Sequence, residues 1–119
     1  MPHSILIVEN DPRWHQMLNE VAENLGYRTC QAGRAVDALK LVRNTDVALI
    51  LLDIKLPAIQ GHLLLRQLRK DKLTIPVIVV AGYLTPEVVE ALMDSHVHEI
   101  IVKSEFRVRR LADAIASAL

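Results

Sequence analysis

Val47-Ala48-Leu49-Ile50-Leu51-Leu52-Asp53, followed by Ile54-Lys55-Leu56-Pro57, sets six apolar residues in a row and closes them with a carboxylate. A run of that length without polar alternation reads as a strand buried on both faces, as in a parallel sheet covered by helices. Asp53 stands where the strand stops. It precedes a Pro-containing loop, residues 54–61, rather than a helix start, so a helix cap accounts poorly for it.

Working outward, Ser4-Ile5-Leu6-Ile7-Val8 is a second β-branched run, and it ends in Glu9-Asn10-Asp11. Asn10 or Asp11 can cap the helix that follows, and Pro12 suits a first turn. Trp14, Met17, Leu18, Val21 and Leu25 recur at helical spacing, and Gly26 provides a stop. Residues 27–32 read as a weaker, edge strand. Residues 34–43 read as a helix with Val36, Leu39 and Val42 on one face. Leu64, Leu65 and Leu68 mark a third helix. Pro76 introduces the strand 77–80, and Thr85 caps a fourth helix. Residues 99–102 form a fifth strand and 106–119 a fifth helix. Five strands alternating with five helices imply βαβ units, right-handed crossovers and one parallel sheet. The expected fold is α/β, an open doubly wound (βα)5 sheet, because a closed barrel of eight units needs about 250 residues.

The 119 residues carry 14 Lys plus Arg against 14 Asp plus Glu, with 51% hydrophobic residues. One domain spanning residues 1–119, with an ordinary core, is expected. The balanced charge argues against direct nucleic-acid binding. No apolar run is long enough for a membrane span, and the N-terminus lacks the pattern of a signal peptide. A single cysteine, Cys30, cannot form an internal disulfide, which makes a reducing, cytoplasmic location the expectation.

In open α/β sheets the working site lies beyond the carboxyl ends of the strands. That rule brings Glu9, Asn10, Asp11, Asp53 and Lys103 to one rim. Clustered oxygen ligands suit a hard cation such as Mg2+. An ammonium beside them can neutralise a phosphoryl group, and a carboxylate so placed can accept one as a nucleophile.

These pieces, in this order, resemble the receiver domain of two-component response regulators, the CheY-like family. The resemblance is carried by Ile5-Leu6-Ile7-Val8-Glu9-Asn10-Asp11-Pro12, by Leu51-Leu52-Asp53-Ile54-Lys55-Leu56-Pro57 with Gly61, by Pro76-Val77-Ile78-Val79-Val80 and by Val102-Lys103. It implies a flavodoxin-like strand order 2-1-3-4-5 and a phosphorelay switch. On the same resemblance Asp53 is the phosphoryl acceptor and Lys103 the phosphoryl contact. Mg2+ is held by Glu9, Asn10, Asp53 and the backbone carbonyl of Lys55, with Asp11 as a further candidate. The implied partners are a histidine kinase or phosphotransfer protein, and an effector domain or partner protein at the face of the fourth helix, fifth strand and fifth helix. The implied role is signalling, with at most self-phosphorylation and self-dephosphorylation.

Four positions depart from the family pattern. Asn10 replaces a metal-ligating aspartate, so weaker Mg2+ binding is expected. Ala81 replaces a Ser or Thr whose hydroxyl binds a phosphoryl oxygen; a methyl cannot donate that bond. Ile100 replaces the aromatic residue that moves between two positions. Ser104 replaces a proline, which removes the reason to expect a cis peptide. Asn10, Ala81 and Ile100 support a competing reading, an interaction module that works without phosphorylation. An aspartate-nucleophile phosphatase is excluded because its motif requires a second Asp where Lys55 stands. A flavodoxin-type cofactor site is excluded because it needs a hydroxyl- and glycine-rich phosphate loop after the first strand, whereas Glu9-Asn10-Asp11 would repel a phosphate unless a cation intervened.

The remaining features read as structural. His96 and His98 are expected on one strand face as solvated side chains, and Arg107, Arg109 and Arg110 as a solvated cluster. Val108, Leu111, Ala112 and Ile115 are expected in the core, and Cys30 as a small buried hydrophobe.

Overall fold

A computed structural model describes residues 4–119; the first three positions, on which the signal-peptide reading partly rests, lie outside the described residues. The strands are β1 (Ser4–Val8), β2 (Arg28–Ala32), β3 (Val47–Leu52), β4 (Val77–Ala81) and β5 (Glu99–Val102). They alternate with α1 (Pro12–Asn24), α2 (Ala35–Asn44), α3 (Gly61–Lys70), α4 (Pro86–Asp94) and α5 (Val108–Ala118). All pairs are parallel, and the order is β2-β1-β3-β4-β5. This is the doubly wound, flavodoxin-like α/β architecture expected from the alternating pattern.

The two-residue period of the strands separates two cores. Leu6, Val8, Ile50, Leu52, Val77, Val79 and Ala81 face α2, α3 and α4. Ile5, Ile7, Leu49, Leu51, Ile78, Val80 and Ile101 face α1 and α5. Every apolar residue of β1, β3 and β4 except half-buried Ala48 therefore lies in one of these cores, and β2 and β5 are the edges. Winding reverses between β1 and β3, and their ends are in register: Val8 pairs with Leu52. Asp53 N–H donates to the Val8 carbonyl at 2.9 Å, which sets Glu9 and Asp53 side by side at the switch point. Across the sheet Ala81 pairs with Val102, so Lys103 emerges at the same rim.

Several details differ from the sequence reading. In α2 the buried stripe is Ala35, Ala38 and Val42, while Val36 is exposed. The larger side chain sits at the solvent boundary, and the alanines let the helix approach the sheet closely. In α5 the core residues are Leu111, Ala114 and Ile115, and Val108 is exposed. That helix starts at Val108 rather than 106, because a short 3-10 turn, Lys103–Glu105, intervenes. His96 and His98 precede β5 and share no strand face. His96 takes φ +58 just past the end of α4, and His98 bonds Ser117 Oγ at 2.7 Å. Leu25 is the exposed C-cap of α1, and Cys30 is half-buried beside Ser4.

Candidate functional site

Three strand ends build the site. Glu9 follows β1, Asp53 follows β3 and Lys103 follows β5. Glu9 and Asp53 are the only buried charged residues among the described ones, at 4% and 7% exposure. Two carboxylates cannot be buried together without compensation. The compensation comes from Lys103, whose Nζ lies 2.7 Å from Glu9 Oε1 and 3.3 Å from Asp53 Oδ2. Glu9 Oε2 accepts from the backbone N–H groups of Asn10 at 3.0 Å and Asp11 at 3.3 Å. Asp53 Oδ1 accepts from Lys55 N–H at 3.4 Å. Burial, reinforced by the neighbouring Asp53, pushes the Glu9 carboxyl up to about 7, against the pull of Lys103.

Local chain geometry holds these groups. Gly61 begins α3 directly beneath Asp53, and a Cβ there would lie 2.2 Å from the Asp53 carbonyl oxygen. Gly61 N–H donates to the Ile54 carbonyl at 2.7 Å, closing the loop that contains Pro57. Ala58 completes that loop with φ +67, a left-handed conformation that disfavours a Cβ. Asp11 caps α1 through Arg13 N–H at 2.9 Å and pairs with the Arg13 guanidinium at 3.6 Å. Its carboxyl is accordingly held below the usual carboxylate range.

Glu9, Asn10, Asp11, Asp53, Lys55, Leu56, Pro57 and Lys103 line one open cleft at this rim. The residues named from sequence are thus brought together, with Asp11 turned towards its own helix. Ala81 is buried at the end of β4. Ile100 is half-buried on the α4 side of β5, against the same core as Leu84, Val88 and Val97. The sequence reading did not find that Trp14 lies beneath Lys103, with Nζ 5.0 Å from the ring centroid.

Two carboxylates at the β1–β3 switch point and an ammonium from the end of β5 thus meet at the rim where open α/β sheets hold their ligands. The sequence pattern of the response regulator receiver domain family fits residues 5–116. The chain belongs to this family. A related protein, "Sporulation initiation phosphotransferase F" of Bacillus subtilis, is 35% identical over 83 residues, covering 70% of this chain and 67% of that protein. The "Probable C4-dicarboxylate response regulator DctR" of Bacillus subtilis is 26% identical over 113 residues; the match covers 93% of this chain but half of that protein. The crystal structure of a CheY-like receiver from Methanospirillum hungatei superposes with a TM-score of 0.91 at 28% identity, covering 98% of this chain and 93% of that one. The chain is therefore a receiver domain of two-component signalling, a signalling unit rather than a classical enzyme. Among its described residues no helix is long and apolar enough to cross a membrane.

Receiver domains generally bind Mg2+ at the phosphorylation site. The donor set of this receiver is compatible with that ion in a water-rich form. No group of three His, Cys, Asp or Glu side chains among the described residues encloses a metal by itself. Two carboxylates on an open cleft, with the Asn10 amide beside them, still suit an ion that takes one or two carboxylates and keeps its waters.

Proposed function

We propose that Asp53 of this receiver accepts a phosphoryl group from the phosphohistidine of a histidine kinase or phosphotransfer protein, or from a small phosphodonor. The reading rests on one observation: Lys103 Nζ sits between Glu9 and Asp53, at 2.7 and 3.3 Å. An Asp53 carboxylate oxygen attacks phosphorus, the phosphorus–nitrogen bond to the donor imidazole breaks, and the imidazole keeps the electron pair and takes up a proton. The product is an aspartyl phosphate. Lys103 exchanges its bond to a carboxylate for one to a phosphoryl oxygen, where its charge is worth most in a partly desolvated site. Glu9, Asn10, Asp53 and the Lys55 carbonyl would hold Mg2+, which when bound offsets charge on the phosphoryl oxygens. Asn10 makes that binding weak. Residues 1–119 act as one receiver unit in the cytoplasm, with output through the face of α4, β5 and α5. Self-phosphorylation and self-dephosphorylation are the only reactions this reading requires of it.

Intact-mass analysis after incubation with phosphoramidate, with and without Mg2+, tests the assignment. The expected result is a gain of one phosphoryl group that disappears in Asp53→Asn. Equal labelling of that variant would overturn it.

A further inference from the structure

Trp14 is the only tryptophan in the chain, and Phe106 the only phenylalanine. The two meet at the functional rim. Trp14 is the third residue of α1 and half-buried; Phe106 follows the 3-10 turn that carries Lys103. Their rings pack edge to face, with centroids 5.2 Å apart at 85°. Phe106 N–H donates to the Lys103 carbonyl at 3.2 Å, so the ring that props Trp14 is tied to the residue above it. Lys103 Nζ then lies over the Trp14 face, 5.0 Å from its centroid.

The arrangement bears on a problem particular to lysine. Its four-carbon stem has many rotamers, and its ammonium is a point charge with no planar fork to set its direction. Two carboxylates attract the ammonium here, yet they alone leave its third side open to water. The Trp14 face closes that side with the negative pole of an aromatic quadrupole, which attracts the charge without forming a directional bond. Such a surface lets the ammonium turn from Glu9 towards a phosphoryl oxygen without losing its support.

We infer that Trp14, braced by Phe106, is a positioning residue that fixes the Lys103 ammonium between Glu9 and Asp53. The functional half of this inference rests on the reading of Lys103 as the phosphoryl contact. Two measurements on the full chain test it. The first is side-chain NMR of Lys103 in the unphosphorylated protein, with Trp14→Phe and Trp14→Leu as variants. The methylene protons next to Nζ should resonate upfield of their ordinary position in the parent, remain so in Trp14→Phe, and lose the displacement in Trp14→Leu with increased motion. The second is the rate of phosphoramidate labelling. It should fall about five- to tenfold in Trp14→Leu and change less than about twofold in Trp14→Phe. Undisplaced Lys103 protons in the parent overturn the inference, as does a Trp14→Leu variant that labels at the parent rate. Equal loss in the Phe and Leu variants also overturns it, since a ring face would then not be what matters. A parent that never labels rejects the phospho-acceptor reading of Asp53, and the NMR comparison still decides whether Trp14 positions Lys103.

Discussion

Asn10 is exposed on the cleft next to buried Glu9, and its amide oxygen would bring no charge to a cation there. If Asn10 is a ligand as proposed, Asn10→Asp would add a unit charge at the cation, and its Coulomb attraction would outweigh the extra repulsion among the carboxylates once metal is bound. Mg2+ affinity should rise at least about tenfold. Titration calorimetry of both proteins checks this, and equal affinities would remove Asn10 from the ligand set. Gly61 gives a second test at the same scale. The Cβ of an alanine would meet backbone at 2.2 Å from the Asp53 oxygen and 2.9 Å from Ile54 Cα, and neither atom can turn aside as a side chain would. Gly61→Ala should cost about 2 kcal/mol or more and lower the melting temperature by several degrees. A melting temperature within about a degree of the parent's would mean that α3 shifts freely. Asp53 and Lys103 were legible in the sequence because each ends an apolar run, and that alone places it on the rim of a parallel sheet. Gly61 was legible only as part of a motif. The sequence spacing gave no sign that Trp14 meets Lys103, because that contact depends on a 3-10 turn and on the angle at which α1 leaves the sheet.

Strands and helices were readable wherever burial was strong, and less so where close approach set the packing. Four of the five strands follow from β-branched or apolar runs; β2, Arg28–Ala32, is the weak edge strand with two exposed polar residues. The stripe of α2 did not, because Ala35 and Ala38 are buried through proximity to the sheet rather than through size. His96 shows a similar gap: its positive φ at the end of α4 is a position that favours glycine, and residue type gave no hint of it. At this scale the switch can be argued. Ala81 ends β4 with no exposure, and Ile100 on β5 packs into the cluster that contains Leu84, Val88 and Leu92. A ligand shifts an equilibrium only by contacts that differ between its two states. On the proposed reading a phosphoryl group on Asp53 would meet no hydroxyl at Ala81 and no mobile ring at Ile100, which would leave Lys103 as the contact that pulls on β5. Backbone NMR shifts across α4, β5 and α5 should therefore change little on phosphorylation. Ala81→Ser should enlarge them, while costing about 1–3 kcal/mol in the unmodified protein, where its buried hydroxyl has no phosphoryl partner. Large shifts without that substitution would point to coupling through another element.

For the whole molecule, the buried acid pair makes folding, protons and metal compete for one place. Glu9 has its carboxyl raised from 4.5 to about 7 on folding, chiefly by burial. Between those values the folded chain binds more protons than the unfolded chain, so stability must fall as pH rises. The contribution is complete below about pH 4.5 and is lost as pH climbs through about 7. Asp11 acts in the opposite sense, since its carboxyl is lowered from 3.8, and its window lies below that value. In chelator the melting temperature should consequently decline from pH 5 to pH 8, and Glu9→Gln should flatten that decline. A cation that binds the ionised pair and only the folded chain adds stability by mass action. Mg2+ should therefore raise the melting temperature more at pH 8 than at pH 5, because at the lower pH it must first displace the Glu9 proton. Thermal melts at both pH values, with chelator and with Mg2+, separate the two effects. A chelated protein that gains stability towards pH 8 would show that Lys103 keeps Glu9 ionised in the fold, and that the pair is a standing salt bridge rather than a protonated site awaiting its cation.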